Sequence, residues 1–312
     1  MFSHRQLSQL QSELLRLKVG PIVCQAPMSA HTTWRIGGPA DLLLTPPTPE
    51  ALMRIVQYAK AQQLPLTLLG CGSNVLVSDT GLRGLVVQLA HGLTAIRFEA
   101  LKVSAQAGAP LSTLAYQAAQ HSLQGLAFAE GIPGSVGGAI IMNAGAYGGH
   151  IADCLQSVTC LRSDGQIQTI DCRQASFAYR SSAFRQSQSI ILSAEFALLP
   201  GDRQAILAEM ALYHQKRQTY QPLDAPSAGS VFKNPPGYKA AQLIEAAGAK
   251  GWRVGDAQVS PKHCNFIINC AHASCQEVLT LMYAVKQAVY AHSGIMLEQE
   301  VILLGDQPAL AL

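Results

Sequence analysis

The stretch Ser227-Ala-Gly-Ser-Val-Phe-Lys-Asn-Pro235 gathers reactive side chains in a turn-prone setting. Ser230 offers a hydroxyl proton, Lys233 a positive charge, and Asn234 an amide that donates and accepts. Gly229 permits a tight course, and Pro235-Pro236-Gly237 stops regular structure behind it. A polar turn with one embedded cation suits closure round an anion. A plain surface turn has the same composition, so these residues alone leave both readings open. Two other groups could share such a ligand. Arg180, between Tyr179 and the pair Ser181-Ser182, could clamp a carboxylate or lie solvated. Glu298 and Glu300 open an apolar segment; partial burial could tune either as an acid, although a solvated carboxylate is the common case.

Two glycine-rich segments lie upstream. The first, Gly70, Cys71, Gly72, Ser73 and Asn74, falls between the apolar runs 66–69 and 75–77, both of which read as strands. A strand, a glycine loop and a second strand can aim backbone N–H groups at one spot and hold a pyrophosphate without side-chain charge. It is not a G-x-G-x-x-G fingerprint, because no helix follows, and no G-K-[ST] completes a Walker loop. The second segment runs Gly131, Ile132, Pro133, Gly134, Ser135, Val136, Gly137, Gly138 and continues through Asn143 to Gly149. Every glycine adds to the entropy lost on folding, so this density points to close approach of backbone to a large ligand. Ser135 is no hydrolase nucleophile, since Pro133 stands where G-x-S-x-G needs its first glycine.

The elements that must position these groups alternate between strand and helix. Leu7, Leu10, Leu14 and Leu17 share one face of a helix over 3–17, and Thr48 caps a second that begins at Pro49. Strands are expected at 84–89 and 102–107, a helix at 110–121, and a hairpin over 157–170 turning at Asp164-Gly165. A strand over 190–199 ends at Pro200-Gly201, and a helix over 203–218 leads back to the Ser227 stretch. Beyond it come a helix over 238–247, a strand over 264–269, a helix opened by the capping box Ser274-x-x-Glu277, and a strand over 297–304. This is an α+β pattern, with a lead-in at 1–30, one domain at 31–200 and a smaller one at 201–312.

Composition narrows the function. The chain has 312 residues, 49% of them apolar and 13% charged, which describes a packed globular protein. A net charge of +3 does not favour nucleic acid, though it permits a local basic site. Among the eight cysteines, Cys264, Cys270 and Cys275 lack paired C-x2-C spacing, so no metal is expected. Free thiols suit a reducing cytoplasm. The amphipathic start is not a signal peptide, and no apolar run nears the roughly 20 residues needed to span a bilayer.

Taken in order, Thr33-Trp-Arg-Ile-Gly-Gly38, Leu69-Gly-Cys-Gly-Ser-Asn-Val-Leu76, Gly131-Ile-Pro-Gly-Ser-Val-Gly-Gly-Ala139, Asn143-Ala-Gly-Ala-Tyr-Gly148, Tyr179-Arg-Ser-Ser182, Gly229-Ser-Val-Phe-Lys-Asn-Pro235 and Glu298-Gln-Glu-Val301 resemble the UDP-N-acetylenolpyruvoylglucosamine reductases. The resemblance runs from about His31 to Asp306. It implies an FAD-binding domain of the p-cresol methylhydroxylase (vanillyl-alcohol oxidase) type, with FAD held noncovalently by the two glycine loops, and a substrate-binding domain behind it. It also implies NADPH as reductant and UDP-N-acetylglucosamine enolpyruvate as substrate, in peptidoglycan precursor synthesis. Hydride would come from N5 of the reduced flavin and the proton from Ser230, with Arg180 and Glu300 stabilising the enolate. Lys233 and Asn234 would meet the diphosphate, and Tyr147 the substrate side of the pocket. From the thiols and the absence of a signal peptide or spanning run a soluble, cytoplasmic protein is expected, as a monomer without membrane or nucleic-acid partners. Only 46 residues, 181–226, separate the arginine motif from the serine stretch. That resembles the shorter subclass, which lacks a tyrosine-bearing lid, and leaves His263 and Asn265 as candidates to cover the substrate. The alternatives are another FAD-dependent oxidase or dehydrogenase of this fold, against which the small second domain and the joint presence of Ser230 and Lys233 argue, and a non-catalytic nucleotide-binding module, against which intact Arg180, Ser230 and Glu300 argue.

Overall fold

The structure is a computed structural model that describes residues 2–162, 164–186 and 189–306. Its contacts gather the chain into two discontinuous units: Met1–Cys24, Leu42–Cys71 and Gly84–Lys216 form the first, and Gln25–Asp41, Gly72–Arg83 and Arg217–Leu312 the second. The sequence reading cuts the chain once near residue 200. The contacts instead divide it inside the strands Ile22–Pro27, Pro39–Leu44 and Leu82–Gln88, inside the first glycine loop, and inside the helix Arg203–Tyr220.

The first unit is built on a five-stranded antiparallel sheet in the order Ile167–Asp171, Leu155–Leu161, Ile190–Ala197, Lys102–Gln106, Ile96–Glu99. In the third of these, Ala194 and Phe196 are buried while Glu195 and Ala197 are exposed, the period-2 pattern of a sheet with one wet face. The helix Pro49–Ala61 starts as expected. Thr48 Oγ1 accepts the Ala51 N–H at 3.2 Å, Pro49 takes the first turn, and Leu52, Ile55 and Ala59 are buried on one face. The strand Leu66–Leu69 pairs in parallel with residues 85–88 and delivers the chain to Gly70. The hairpin forms, with Leu161 opposite Ile167; the tip is wider than a two-residue turn, and Ser163 lies outside the described residues.

The second unit has its own core, with Trp34, Phe232, Ile244, Val278 and Val285 all at or below 2% exposure. A three-stranded antiparallel sheet (Arg253–Val254, Ala257–Val259, Ile267–Asn269) and a parallel pair (Val75–Val77 with Ile302–Leu304) frame it. The helix Cys275–Ser293 opens on the expected capping box and ends at Gly294, whose φ of +71° suits glycine. Asp79 adds to that start, its carboxylate accepting the N–H groups of Cys275 and Gln276 at 2.8 and 3.0 Å.

Three expected elements differ. A short helix, Val136–Ile141, stands where the glycine density suggests only loop; Ser135 caps it, accepting the Gly138 N–H at 3.4 Å. The strand over 264–269 shrinks to Ile267–Asn269, because Phe266 N–H turns back to the His263 carbonyl at 2.9 Å. The segment 297–304 divides its pairing. Gln299 bridges Phe232, and only Ile302–Leu304 joins the strand Val75–Val77.

Candidate functional site

In the second unit the Ser230 stretch lies between two partners. On one edge Glu300 N–H donates to the Val231 carbonyl at 2.8 Å and Lys233 N–H to the Glu298 carbonyl at 2.8 Å. On the other, Val231 N–H donates to the Asn265 carbonyl at 2.8 Å. Glu300, seventy residues from Ser230 by number, is thus hydrogen-bonded to the residue that follows Ser230. Asn74 joins them: its side-chain amide donates to the Glu300 carbonyl at 3.4 Å, and its own carbonyl accepts Ile302 N–H at 3.0 Å. The end of the first glycine loop therefore meets the Glu300 backbone. Thr33 Oγ1 donates to the Ser227 carbonyl at 2.7 Å and secures the start of the stretch.

A pocket of about 280 Å³ opens beside this backbone, lined by Ser230, Asn234, Lys239, Ala241, Gln242, His263 and Asn265. Asn234 and His263 therefore share a wall with Ser230, as does Asn265. Lys233 is not in that wall; its ammonium pairs with Glu298. Asn234 Oδ1 accepts the Ala240 N–H at 2.9 Å, which anchors the first turn of the helix Ala240–Ala246 to the site. That turn carries Lys239 and Gln242, which the sequence reading misses. Their three-residue spacing at a helix start is the only local signal they give.

Burial holds the His263 imidazole below the usual histidine pKa. Its Nδ1 accepts the Asn265 N–H at 3.3 Å, which puts the proton of the neutral ring on Nε2. The ring meets Phe266 edge-on at 4.8 Å and 72°. With its folded pKa depressed, His263 takes up a proton more readily in the unfolded chain. Its contribution to stability is present above the unfolded value of about 6.5 and is lost as pH falls through the folded value. Urea midpoints from about pH 7.5 down to about pH 5.5 should fall less steeply in His263→Gln than in the wild type. Parallel curves would contradict this.

In the first unit the two glycine segments touch. A Cβ at Gly70 would lie 2.2 Å from Ser135 Oγ, so no side chain fits between them. The N–H groups of Val136 and Gly137 are held by the carbonyls of Ala109 and Ala107 at 2.9 and 2.8 Å, and Leu111 N–H donates to the Gly134 carbonyl at 2.8 Å. The rest of the second segment is strapped to the arginine motif. Asn143 Nδ2 donates to the Ala178 carbonyl at 3.1 Å, Ser182 Oγ to the Ile141 carbonyl at 3.0 Å, and Arg180 Nη1 to the Gly145 carbonyl at 3.4 Å. Arg180 sits at φ +53°, a left-handed conformation that a non-glycine residue keeps only when its surroundings impose it. Tyr147, also left-handed at φ +53°, stacks on Tyr213 with ring centroids 4.2 Å apart, and Lys216 Nζ lies 5.8 Å from the centre of each ring. Tyr213 and Lys216 gave no signal in the sequence, because the pairing joins a loop to a distant helix.

Comparison with known proteins shows the family. A reductase of Agathobacter rectalis, named UDP-N-acetylenolpyruvoylglucosamine reductase, is 46% identical over 90% of this chain and 93% of its own. One of Desulforamulus reducens is 44% identical over 96% and 99%. The chain belongs to the UDP-N-acetylenolpyruvoylglucosamine reductase family. The reductase of Thermus caldophilus, known from a crystal structure, matches with a TM-score of 0.79 at 36% identity over 91% of this chain and 98% of that one. Residues 221–304 match the C-terminal domain of UDP-N-acetylenolpyruvoylglucosamine reductase, and residues 40–171 match an FAD-binding domain. The chain is therefore an oxidoreductase of α+β fold, with an FAD-binding domain ahead of the reductase's C-terminal domain. The reductase C-terminal match contains Ser230, Lys233, Asn234 and Glu300; the FAD-binding match contains both glycine segments and Tyr147; Arg180 lies between the two matches.

The residues present fit FAD. Both glycine segments lie inside the stretch that matches an FAD-binding domain, and their approach at Gly70 and Ser135 admits no side chain between them. Among the described residues no cluster of His, Cys, Asp and Glu could hold a metal, and no helix is long and apolar enough to cross a membrane.

Proposed function

We propose that this chain reduces the enolpyruvyl ether of UDP-N-acetylglucosamine enolpyruvate to UDP-N-acetylmuramate, with NADPH as reductant, in cytoplasmic peptidoglycan precursor synthesis and as a monomer. The observation that carries this reading is the hydrogen bond from Glu300 N–H to the Val231 carbonyl, which brings the backbone of the proposed carboxylate partner Glu300 against the residue next to the proposed acid Ser230. FAD, when bound noncovalently, would supply the two-electron chemistry that links NADPH to the double bond of the ether.

The holding groups are Gly70, Cys71, Gly72, Ser73 and Asn74 from the first segment and Gly131, Ile132, Pro133, Gly134, Ser135, Gly137 and Gly138 from the second. Functionally, 31–200 serves the flavin and 201–312 the substrate. Reduction adds one hydrogen to each carbon of the double bond, so a proton must reach the carbon that bears the carboxylate. Ser230 Oγ donates it. A serine hydroxyl is a weak acid, but an enolate carbon is a strong base, and the transfer runs when the two are held in line. Arg180 offers two parallel N–H donors to the carboxylate as its charge grows. Glu300 donates a hydrogen bond to the same carboxylate when protonated, a state that a neighbouring anion favours. Lys233 and Asn234 bind the diphosphate, and Tyr147 borders the substrate.

Purified protein should be yellow, and its NADPH oxidation should depend on added enol ether, read as loss of absorbance of the nicotinamide. Folded protein that is colourless after reconstitution with FAD would overturn the flavin assignment. Equal NADPH oxidation with and without the ether would overturn the substrate.

A further inference from the structure

Asn265 is 4% exposed and lies just ahead of the strand Ile267–Asn269. Its amide is turned onto the backbone of Phe232: Oδ1 accepts the Phe232 N–H at 3.0 Å and Nδ2 donates to the Phe232 carbonyl at 2.8 Å. Its main-chain carbonyl accepts Val231 N–H at 2.8 Å. That N–H belongs to the peptide unit leaving Ser230. One residue therefore grips three consecutive peptide units, beginning at the one that carries the Ser230 carbonyl. It does with a side chain what a β-strand neighbour does with its backbone, at the place where the strand itself has stopped.

Nothing upstream can replace that grip. The preceding strap is at Ser227, bridged to Ile268, and between it and Ser230 lies Gly229 at φ +75° with open space where a Cβ would be. A glycine there adds no stiffness. The Ser230 hydroxyl makes no hydrogen bond to another described residue, so its direction is inherited from its backbone. The opposite edge is held by Glu300. We propose that Asn265 is a positioning residue: by clamping Phe232 it fixes the peptide after Ser230 and so aims the Ser230 hydroxyl. This rests on the reading of Ser230 as the proton donor.

The test uses the flavin-loaded, full-length protein and two variants. Asn265→Ala removes the clamp. Asn265→Asp keeps its shape and its acceptor for the Phe232 N–H, but sets a carboxylate against the Phe232 carbonyl; once protonated, that carboxyl can donate there. Both variants should be reduced by NADPH within about twofold of the wild type, and reoxidised by the enol ether about 10- to 100-fold more slowly, the scale of a displaced catalytic group. As pH falls, reoxidation of Asn265→Asp, divided by the wild-type rate at the same pH, should recover, while that of Asn265→Ala should not. Unchanged reoxidation, an equal fall in both half-reactions, or no recovery on acidification would overturn the proposal. If Asn265→Ala does not fold, the pH recovery of Asn265→Asp decides. A wild type that the ether cannot reoxidise overturns the underlying reading and this proposal with it; an active wild type with unaffected variants overturns this proposal alone.

Discussion

Ser230→Ala should leave reduction of the flavin by NADPH near the wild-type rate and slow reoxidation by the enol ether by at least about 10²-fold, the usual loss when a general acid is removed. The split follows from where the residue stands. Ser230 lies in the wall of the polar pocket with Asn234, Lys239 and His263, and its hydroxyl makes no hydrogen bond to another described residue. Removing the hydroxyl leaves no buried group unsatisfied, so stability should hold while the chemistry fails. Stopped-flow absorbance separates the two half-reactions. Ser230→Cys, with a more acidic group at the same place, should recover part of the lost rate. Equal rates for wild type and Ser230→Ala in both half-reactions would remove Ser230 from the mechanism. A loss confined to reduction by NADPH would move it to the other half-reaction.

Gly72→Ala should give protein that is less stable and pale. Gly72 is buried at φ +67°, and a Cβ there would lie 2.2 Å from the His31 carbonyl oxygen and 3.0 Å from Thr32 Cα. Both obstacles are backbone, and the Gly72 carbonyl is itself held by Thr33 N–H at 3.1 Å, so the loop and its neighbour cannot part without losing that bond. The left-handed conformation costs a non-glycine residue about 1–3 kcal/mol, and forced overpacking about as much again. The loop must shift to relieve the clash, and flavin affinity should fall at least about tenfold, equivalent to about 1.4 kcal/mol. Gly165→Ala is the control: φ is +88° there too, but no described residue lies within 4 Å of the added carbon, so it bears the conformational strain alone and should stay yellow. Thermal melts and flavin titration read both effects. If Gly72→Ala matched Gly165→Ala in colour and melting, the tight approach at Gly72 would have no part in cofactor binding.

Local signals in the chain decided a good deal. Thr48-Pro49, the Ser274-x-x-Glu277 box and the terminal glycines at 248 and 294 mark helix ends through bonds that reach four residues or fewer, so a short window contains all of their physics. The apolar runs at 66–69 and 75–77 are long enough in β-branched and leucine residues to declare themselves, and the glycine segments between and beyond them stand out by composition. Together with the arginine, serine and glutamate motifs they also place the chain in its family.

What only the tertiary structure decided is reached across long separations. The short helix Val136–Ile141 forms against its glycines because Ala107 and Ala109 hold the N–H groups of Gly137 and Val136. The bond of Asn74 to Glu300 spans 226 residues, and Asp79 caps a helix 196 residues away. Asn265, 33 residues past Phe232, gives no sign in the sequence that its amide clamps the backbone beside Ser230. The pairing of the Lys233 ammonium with Glu298, 65 residues on, is likewise invisible in the sequence. Such contacts depend on how the chain closes on itself, and no pattern within a single turn or strand can specify them. For this protein the sequence offered the candidate groups and identified the reductase family; the fold determined which of those groups share a wall and which residues hold them there.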